Sequence, residues 1–146
     1  MRSFLSCLCV LLILGPGQTP VAASDETSDE ATLCAVARVV DGDTVDLDCL
    51  GMDRFRARLM GYDTPETYQP RCAAEAIHGQ SATRRLRALV ADARVIEARL
   101  GGMDRYDRRL GQLGIDGQDV GTRLIAEGLA LPYEGGRRPD WCARLT

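Results

Sequence analysis

The chain has 146 residues and a formal net charge of −3, with 45% hydrophobic, 27% charged and 5% aromatic residues. This composition is typical of a globular domain and excludes a disordered, collagen-like or coiled-coil chain. The length suits one domain with a modest core. The longest apolar run, from Phe4 to Leu14, is too short to cross a bilayer as a regular helix, which excludes a polytopic membrane protein.

The first residues are typical of a secretory signal peptide. Arg2 supplies a positive charge, the apolar run follows, and Gly15 and Pro16 end it. The small residues of 21–23 then predict cleavage after Ala23, with an uncleaved membrane anchor as the alternative. We therefore expect a signal peptide over 1–23, an acidic solvated tail over 24–33 and a folded domain over 34–146. The product would be exported, to the periplasm or the medium, with no stable membrane association after cleavage.

Cleavage would leave four cysteines, and an even number in a small exported domain indicates disulfides. Their spacing contains no C-x2-C pair, and with a single histidine, His78, the zinc interpretation fails. Four cysteines allow three connectivities. Cys34 and Cys49 lie nearly equidistant from the turn at Gly42, so we favour Cys34–Cys49 together with Cys72–Cys142.

Hydrophobic periodicity predicts three strands, a helix, two strands and a second helix. The strands are expected over 34–40, 44–49, 55–60, 94–100 and 110–115, and the helices over 73–91 and 120–127. In the first helix one face would be buried, formed by Ile77, Ala82, Leu86, Leu89 and Val90. Gly101 opens a loop that runs to Arg108, and the segment 129–146 is expected to be irregular, with Trp141 packing the tail. This order fits a mainly β protein with helices, built on a five-stranded oligonucleotide-binding (OB-fold) barrel.

Two acidic segments contain the oxygen ligands that hard divalent cations prefer. They are Asp41-Gly42-Asp43-Thr44, at a predicted hairpin turn, and Asp63-Thr64-Pro65-Glu66, at a predicted strand end. Taken singly, each segment is also explained as an ordinary turn or helix-entry loop. All 18 cationic residues are arginine, and guanidinium groups match phosphate oxygens in a bidentate manner.

These segments resemble the staphylococcal nuclease family, in order and at compatible spacing along nearly the whole folded domain. The matching blocks are 39–45 (VVDGDTV), 58–67 (RLMGYDTPET), 104–108 (DRYDR) and 128–130 (GLA). Within the third block Asp107 stands where the family usually has glycine, and a carboxylate there could pair with Arg108. The chain also ends soon after Cys142, so the family's C-terminal helix is expected to be reduced or absent.

The resemblance implies a Ca²⁺-dependent endonuclease that hydrolyses DNA and RNA with little sequence specificity. Asp43 and Asp63 would bind Ca²⁺ directly, with the backbone carbonyl of Thr64, while Asp41 and Glu66 would act through water. Glu66 is also the candidate general base. The resemblance also implies that Arg58 and Arg108 bind the phosphate of the bond that is cleaved. Nucleotide binding would fall to Arg105, Tyr106 and Tyr133.

The charge balance limits how nucleic acid can bind. From Cys34 onward the chain has 17 arginines and 17 acidic residues, so a general basic field is lacking. We therefore expect single-stranded DNA or RNA to bind in a local groove. We also expect the protein to be a monomer. The alternative function is a catalytically silent OB-fold module that binds nucleic acid or a protein. A structural module of the cell envelope that has no ligand is a third alternative.

Overall fold

The computed structural model describes residues 30–145. The predicted signal peptide and residues 24–29 of the predicted tail therefore lie outside the described residues. The elements follow one another as β1 (Thr32–Val39), β2 (Thr44–Cys49), β3 (Phe55–Leu59), β4 (Gly61–Asp63), α1 (Ala73–Asp92), β5 (Ile96–Met103), β6 (Arg109–Ile115), β7 (Gln118–Asp119), α2 (Val120–Ala126), β8 (Leu131–Tyr133) and α3 (Trp141–Arg144).

Five strands close into a barrel, as the sequence predicts. The strand order is β3-β2-β1-β5-β6, and β3 also pairs with β6 in parallel, which closes the sheet on itself. β7 adds a short strand outside β6, while β4 and β8 form a separate two-stranded pair. In the described part of the chain, α1 and α2 pack on this barrel and α3 contacts α1, so the fold is mainly β and of the OB type.

The barrel interior and the helix faces against it form one apolar core. Alternation along β2 and β3 places Val45, Leu47, Ala57 and Leu59 inside. α1 covers the barrel with Leu86 and Leu89, and α2 with Val120 and Leu124. Among the described residues, no helix is long and apolar enough to cross a membrane.

The predicted buried face of α1 is wrong at one residue. Ile77 is 63% exposed, whereas Ala82, Leu86 and Leu89 are buried. Ile77 and Leu86 are nine residues apart, which is about two and a half helical turns and therefore points to opposite faces. Glu75, Gly79 and Thr83 complete the buried face instead.

The strands differ from the prediction at their ends. β1 begins at Thr32, inside the predicted tail, and β5 continues through Gly101 and Gly102 to Met103, where a loop was predicted. The pairing of β5 with β6 is irregular after Leu100, so this extension accommodates both glycines without a regular ladder. The C-terminal segment also contains more structure than predicted, in β8 and in α3, a helix reduced to four residues.

Within residues 30–145, two disulfides tie the chain together, with the pairing that the sequence favours. Cys34 and Cys49 lie opposite each other in the β1–β2 ladder and are bonded. Cys72, at the N-terminal cap of α1, is bonded to Cys142 in α3, 70 residues further along the chain. The second bond fixes the C-terminal segment beside the loop that precedes α1.

Candidate active site

The two acidic segments meet at one end of the barrel. One oxygen of Asp43 accepts hydrogen bonds from the backbone N–H and the hydroxyl of Thr64, both at 3.1 Å. Asp43, Asp63 and Thr64 are at most 5% exposed. Carboxylates 20 positions apart in the sequence are therefore held together beneath the surface.

Close packing of backbone fixes this meeting point. A Cβ atom at Gly42 would lie 2.7 Å from the Thr64 hydroxyl, so only glycine fits there. The buried Tyr62 hydroxyl donates to the Gly42 carbonyl at 3.1 Å. On the other side, Gly79 lets α1 approach the backbone of Pro65 and Glu66, because a Cβ there would lie 2.6 Å from the Pro65 carbonyl oxygen.

Arg58 connects both acidic segments. Its Nη1 lies 2.5 Å from a carboxylate oxygen of Asp43, and its Nη2 lies 3.3 Å from one of Asp63. The side chain is 12% exposed and extends from β3, a paired strand of the barrel. This guanidinium is therefore rigidly placed at the edge of the carboxylate cluster.

Burial shapes the electrostatics of the cluster. Desolvation raises the pKa of Asp43 above its usual 3.8, although Arg58 acts in the opposite direction. Desolvation likewise raises the pKa of Tyr62 well above 10, so its hydroxyl stays protonated and keeps donating to the Gly42 carbonyl. For Asp43, burial therefore outweighs the adjacent guanidinium in setting the direction of the pKa shift.

Sequence reasoning missed two residues that contact Asp63, and both lie in the C-terminal segment. Arg138 donates from Nε to Oδ1 of Asp63 at 2.7 Å and from Nη2 to the Thr64 carbonyl at 3.0 Å, and it also pairs with Glu66. Trp141 donates from its indole N–H to Oδ2 of Asp63 at 2.9 Å. Trp141 therefore does more than pack the tail, because it holds a carboxylate that the sequence analysis assigns to the metal.

The third block of the resemblance forms a tight loop beside the cluster. Asp104 accepts from the backbone N–H of Tyr106 and of Arg108 and pairs with the Arg108 guanidinium at 2.7 Å. The partner of Arg108 is therefore Asp104 and not Asp107. Asp107 has φ of 57°, a left-handed conformation that glycine and aspartate tolerate better than most residues.

An open cleft of about 790 Å³ joins these parts. The loop provides one side, where the guanidiniums of Arg105 and Arg108 lie 4.8 and 5.4 Å from the centre of the Tyr106 ring. Tyr133 lines the cleft from β8 and donates its hydroxyl to the Gly136 carbonyl at 2.7 Å. The cleft also contains Asp41, Asp43, Arg58, Glu66 and Arg138, while Asp63 and Thr64 are buried beneath it.

The groups at the floor of the cleft are of the chemical type that a hard divalent cation binds. Carboxylates and a carbonyl are the ligands that such ions take. Among the described residues, however, the only group of three or more His, Cys, Asp or Glu ligand atoms within 4.8 Å of one another lies elsewhere, at Cys72, Glu75 and Cys142. Asp41, Asp43, Asp63 and Glu66 would carry four negative charges when ionised, against the two positive charges of Arg58 and Arg138. A guanidinium already lies against Asp63, Thr64 and Glu66, so the position attracts positive charge.

A second cluster of possible ligands is not a metal site. Cys72, Glu75 and Cys142 lie close enough together to share an ion. Both sulfurs, however, belong to the disulfide and cannot provide thiolates. The buried Glu75 instead accepts from the Arg71 backbone N–H at 2.6 Å.

The fold and the cleft define a class of protein: an OB-fold barrel with an acidic floor to its cleft and guanidinium groups on the sides of the cleft. The sequence profile described as "Staphylococcal nuclease homologue" matches residues 56–141, more than half of the chain. The chain belongs to the staphylococcal nuclease family. The matched stretch includes Arg58, Asp63, Arg108 and also Arg138 and Trp141.

Individual relatives agree with this assignment. The thermonuclease of Staphylococcus intermedius is 35% identical over 96 residues, which cover 65% of this chain and 56% of the relative. An uncharacterized endonuclease of Haemophilus influenzae is 31% identical over 107 residues, 73% of this chain and 56% of the relative. Endonuclease YncB of Bacillus subtilis is 34% identical over 95 residues, 64% of this chain and 44% of the relative. The chain thus spans about half the length of these relatives.

Proposed function

We propose that the protein is a Ca²⁺-dependent endonuclease that hydrolyses phosphodiester bonds of DNA and RNA with little sequence specificity. The observation that carries this proposal is the convergence of Asp43, Asp63 and the Thr64 carbonyl beside Arg58, at the floor of a cleft that Arg108 also borders. The names of the relatives, a thermonuclease and two endonucleases, support the same reaction class.

Asp43, Asp63 and the Thr64 carbonyl would hold the ion directly, with Asp41 and Glu66 acting through water. A bound Ca²⁺ would supply electrophilic activation of a phosphoryl oxygen and orient a water molecule. Glu66 is suited to accept a proton from the attacking water, because it borders the cleft and its side chain is 37% exposed.

Arg58 and Arg108 would donate hydrogen bonds to the phosphate oxygens. Negative charge on these oxygens must be balanced in the transition state, where donors that are already fixed are most effective. Asp104 engages Nε and Nη2 of Arg108, and among the described residues Nη1 has no hydrogen-bond partner, so it can serve the phosphate. Arg105, Tyr106 and Tyr133 would contact the rest of the nucleotide.

The substrate that best fits the cleft is a single strand. The cleft is local, so a flexible strand can enter it, and its lining includes Tyr106 and Tyr133, on which bases can stack. We further infer that the protein acts outside the cytoplasm, because the disulfides Cys34–Cys49 and Cys72–Cys142 form and persist in an oxidising compartment. The monomeric state stays a prediction.

The direct test is release of acid-soluble nucleotides from single-stranded DNA and from RNA. The purified protein should release them with Ca²⁺ present and should stop when a chelator is added in excess. An Asp63→Asn variant should be inactive under the same conditions. Absence of chelator-sensitive release would favour the silent binding module instead.

A further inference from the structure

The guanidinium of Arg138 lies at the position expected for the cation. Its three nitrogens contact Asp63, the Thr64 carbonyl and Glu66, which are three of the groups expected to hold the ion directly or through water. We propose that Arg138 is an internal counter-cation that competes with the divalent ion for these oxygens and thereby lowers the affinity of the site for it. The inference rests on the proposed function and deepens it.

Asp63 cannot easily serve both cations at once. Its Oδ1 accepts from Arg138 at 2.7 Å and from Arg58 at 3.3 Å, and its Oδ2 accepts from Trp141 at 2.9 Å. Asp63 is fully buried, so neither carboxylate oxygen is free to bind an ion while these hydrogen bonds are present. Direct coordination of Ca²⁺ requires an oxygen at about 2.3–2.6 Å, which the approach of a guanidinium to the same lone pairs opposes.

Arg138 is the guanidinium that can leave. Its side chain is 40% exposed, against 12% for Arg58, and it extends from a segment between β8 and α3. Gly135 and Gly136 in that segment have φ of 101° and 86°. Arg58, by contrast, is held in a barrel strand. Binding of the ion should therefore displace the Arg138 guanidinium from these oxygens and leave Arg58 in place.

The test is calorimetric titration of Ca²⁺ into the protein without nucleic acid. An Arg138→Gln variant should bind Ca²⁺ more tightly than the unmodified protein, with Kd lower by roughly five-fold or more, the lower end of usual coupling between sites. Arg137→Gln is the matched control, because it removes the same charge from the neighbouring position, which is exposed and has no side-chain partner among the described residues. Its Kd should stay unchanged.

A second variant and a second readout protect the test against misfolding. Arg138→Lys keeps the charge but lacks the planar fork that contacts three oxygens, so its Kd should lie between those of Arg138→Gln and the unmodified protein. In thermal unfolding, Ca²⁺ should stabilise Arg138→Gln more than the unmodified protein, because ligand stabilisation grows as Kd falls.

The outcomes separate this inference from the proposed function. Equal Kd values for Arg138→Gln and the unmodified protein, with chelator-sensitive hydrolysis intact, would overturn the competition alone. Equal tightening by Arg137→Gln would also overturn it, because the effect would then come from overall charge. Absence of Ca²⁺ binding by every variant, together with absence of hydrolysis, would overturn both.

Discussion

Asp43 carries its charge at a cost to the folded protein. Burial raises the pKa of Asp43 above 3.8. The protonated carboxyl therefore favours the folded state, and this stabilisation is fully present below pH 3.8 and is lost as pH rises through the raised pKa. We expect Asp43→Asn to raise the unfolding temperature of the metal-free protein near neutral pH, by roughly 4 °C for each kcal/mol recovered. The same variant should lose Ca²⁺ binding.

Asp48, a carboxylate that is not buried, provides the control for the Asp43 variant. Asp48 is paired with Arg54, and this hydrogen-bonded partner lowers its pKa, so Asp48→Asn should leave the protein slightly less stable and not more. Calorimetric melting of both variants between pH 4 and 8, with chelator present, is the measurement. A fall in the unfolding temperature for Asp43→Asn would show that its bonds to Arg58 and Thr64 outweigh the cost of burial.

Arg58 and Arg108 are expected to act mainly on turnover. Replacing either by alanine should lower kcat by about a hundred-fold or more, the usual effect of losing one fixed donor to transition-state charge. Arg54→Ala is the matched control, because Arg54 precedes β3, is largely exposed and pairs only with Asp48 among the described residues. Initial rates on single-stranded DNA at saturating Ca²⁺ would test this, and near-normal turnover in the Arg58 variant would contradict the assigned role.

Trp141 should contribute to stability through its indole N–H. In Trp141→Phe, Oδ2 of the buried Asp63 loses its donor at 2.9 Å, which should cost about 1–3 kcal/mol in urea unfolding. The packing of the ring is separated from the hydrogen bond by repeating the change in an Asp63→Ala background. If Trp141→Phe costs as much there, the hydrogen bond is not the reason.

At the scale of elements, the two disulfides should differ in their effect on stability. The Cys72–Cys142 bond closes a separation of 70 residues and the Cys34–Cys49 bond one of 15. Loop entropy then predicts losses of about 4 and 3 kcal/mol when each pair is replaced by alanine. Denaturant unfolding of the two double variants tests the order, and a larger loss for the Cys34–Cys49 pair would show that native packing, not loop length, dominates.

The strongly patterned elements could be predicted from the sequence, and the short ones could not. β2 and β3 alternate clearly, and α1 is long enough to show its period, so their positions agree with the structure to within a few residues. β4 and β8 have three residues each, too few for an alternation, and they form only because they pair with each other. Their pairing depends on contacts that no local pattern contains.

The same limit explains the missed site residues. Arg138 and Trp141 lie in a segment without periodicity, and their partner Asp63 is more than 70 positions away. A signal was nevertheless present. Cys72 follows Asp63 by nine residues, so the favoured Cys72–Cys142 bond already placed the residues before Cys142 near Asp63.

For the whole molecule, the balance of charge should make binding to nucleic acid only weakly dependent on salt. The arginines of the cleft that are free to meet phosphate are few, and many others pair with carboxylates on the surface, as Arg56 does with Asp46 and Arg85 with Glu127. Contact with about three phosphates predicts a slope of log K against log salt near −2 for a single strand. Fluorescence anisotropy with labelled oligonucleotide and a Glu66→Gln variant would measure it. A much steeper slope would indicate a basic surface outside the cleft.

The bond between Cys34 and Cys49 also affects what happens after heating. It joins two facing positions near the far ends of the first hairpin, whose turn contains Asp41 and Asp43, so Cys34 and Cys49 stay together even when the ladder between the strands has unfolded. Refolding of the oxidised chain therefore starts with the loop between these strands already closed, which removes part of the entropic cost of pairing them.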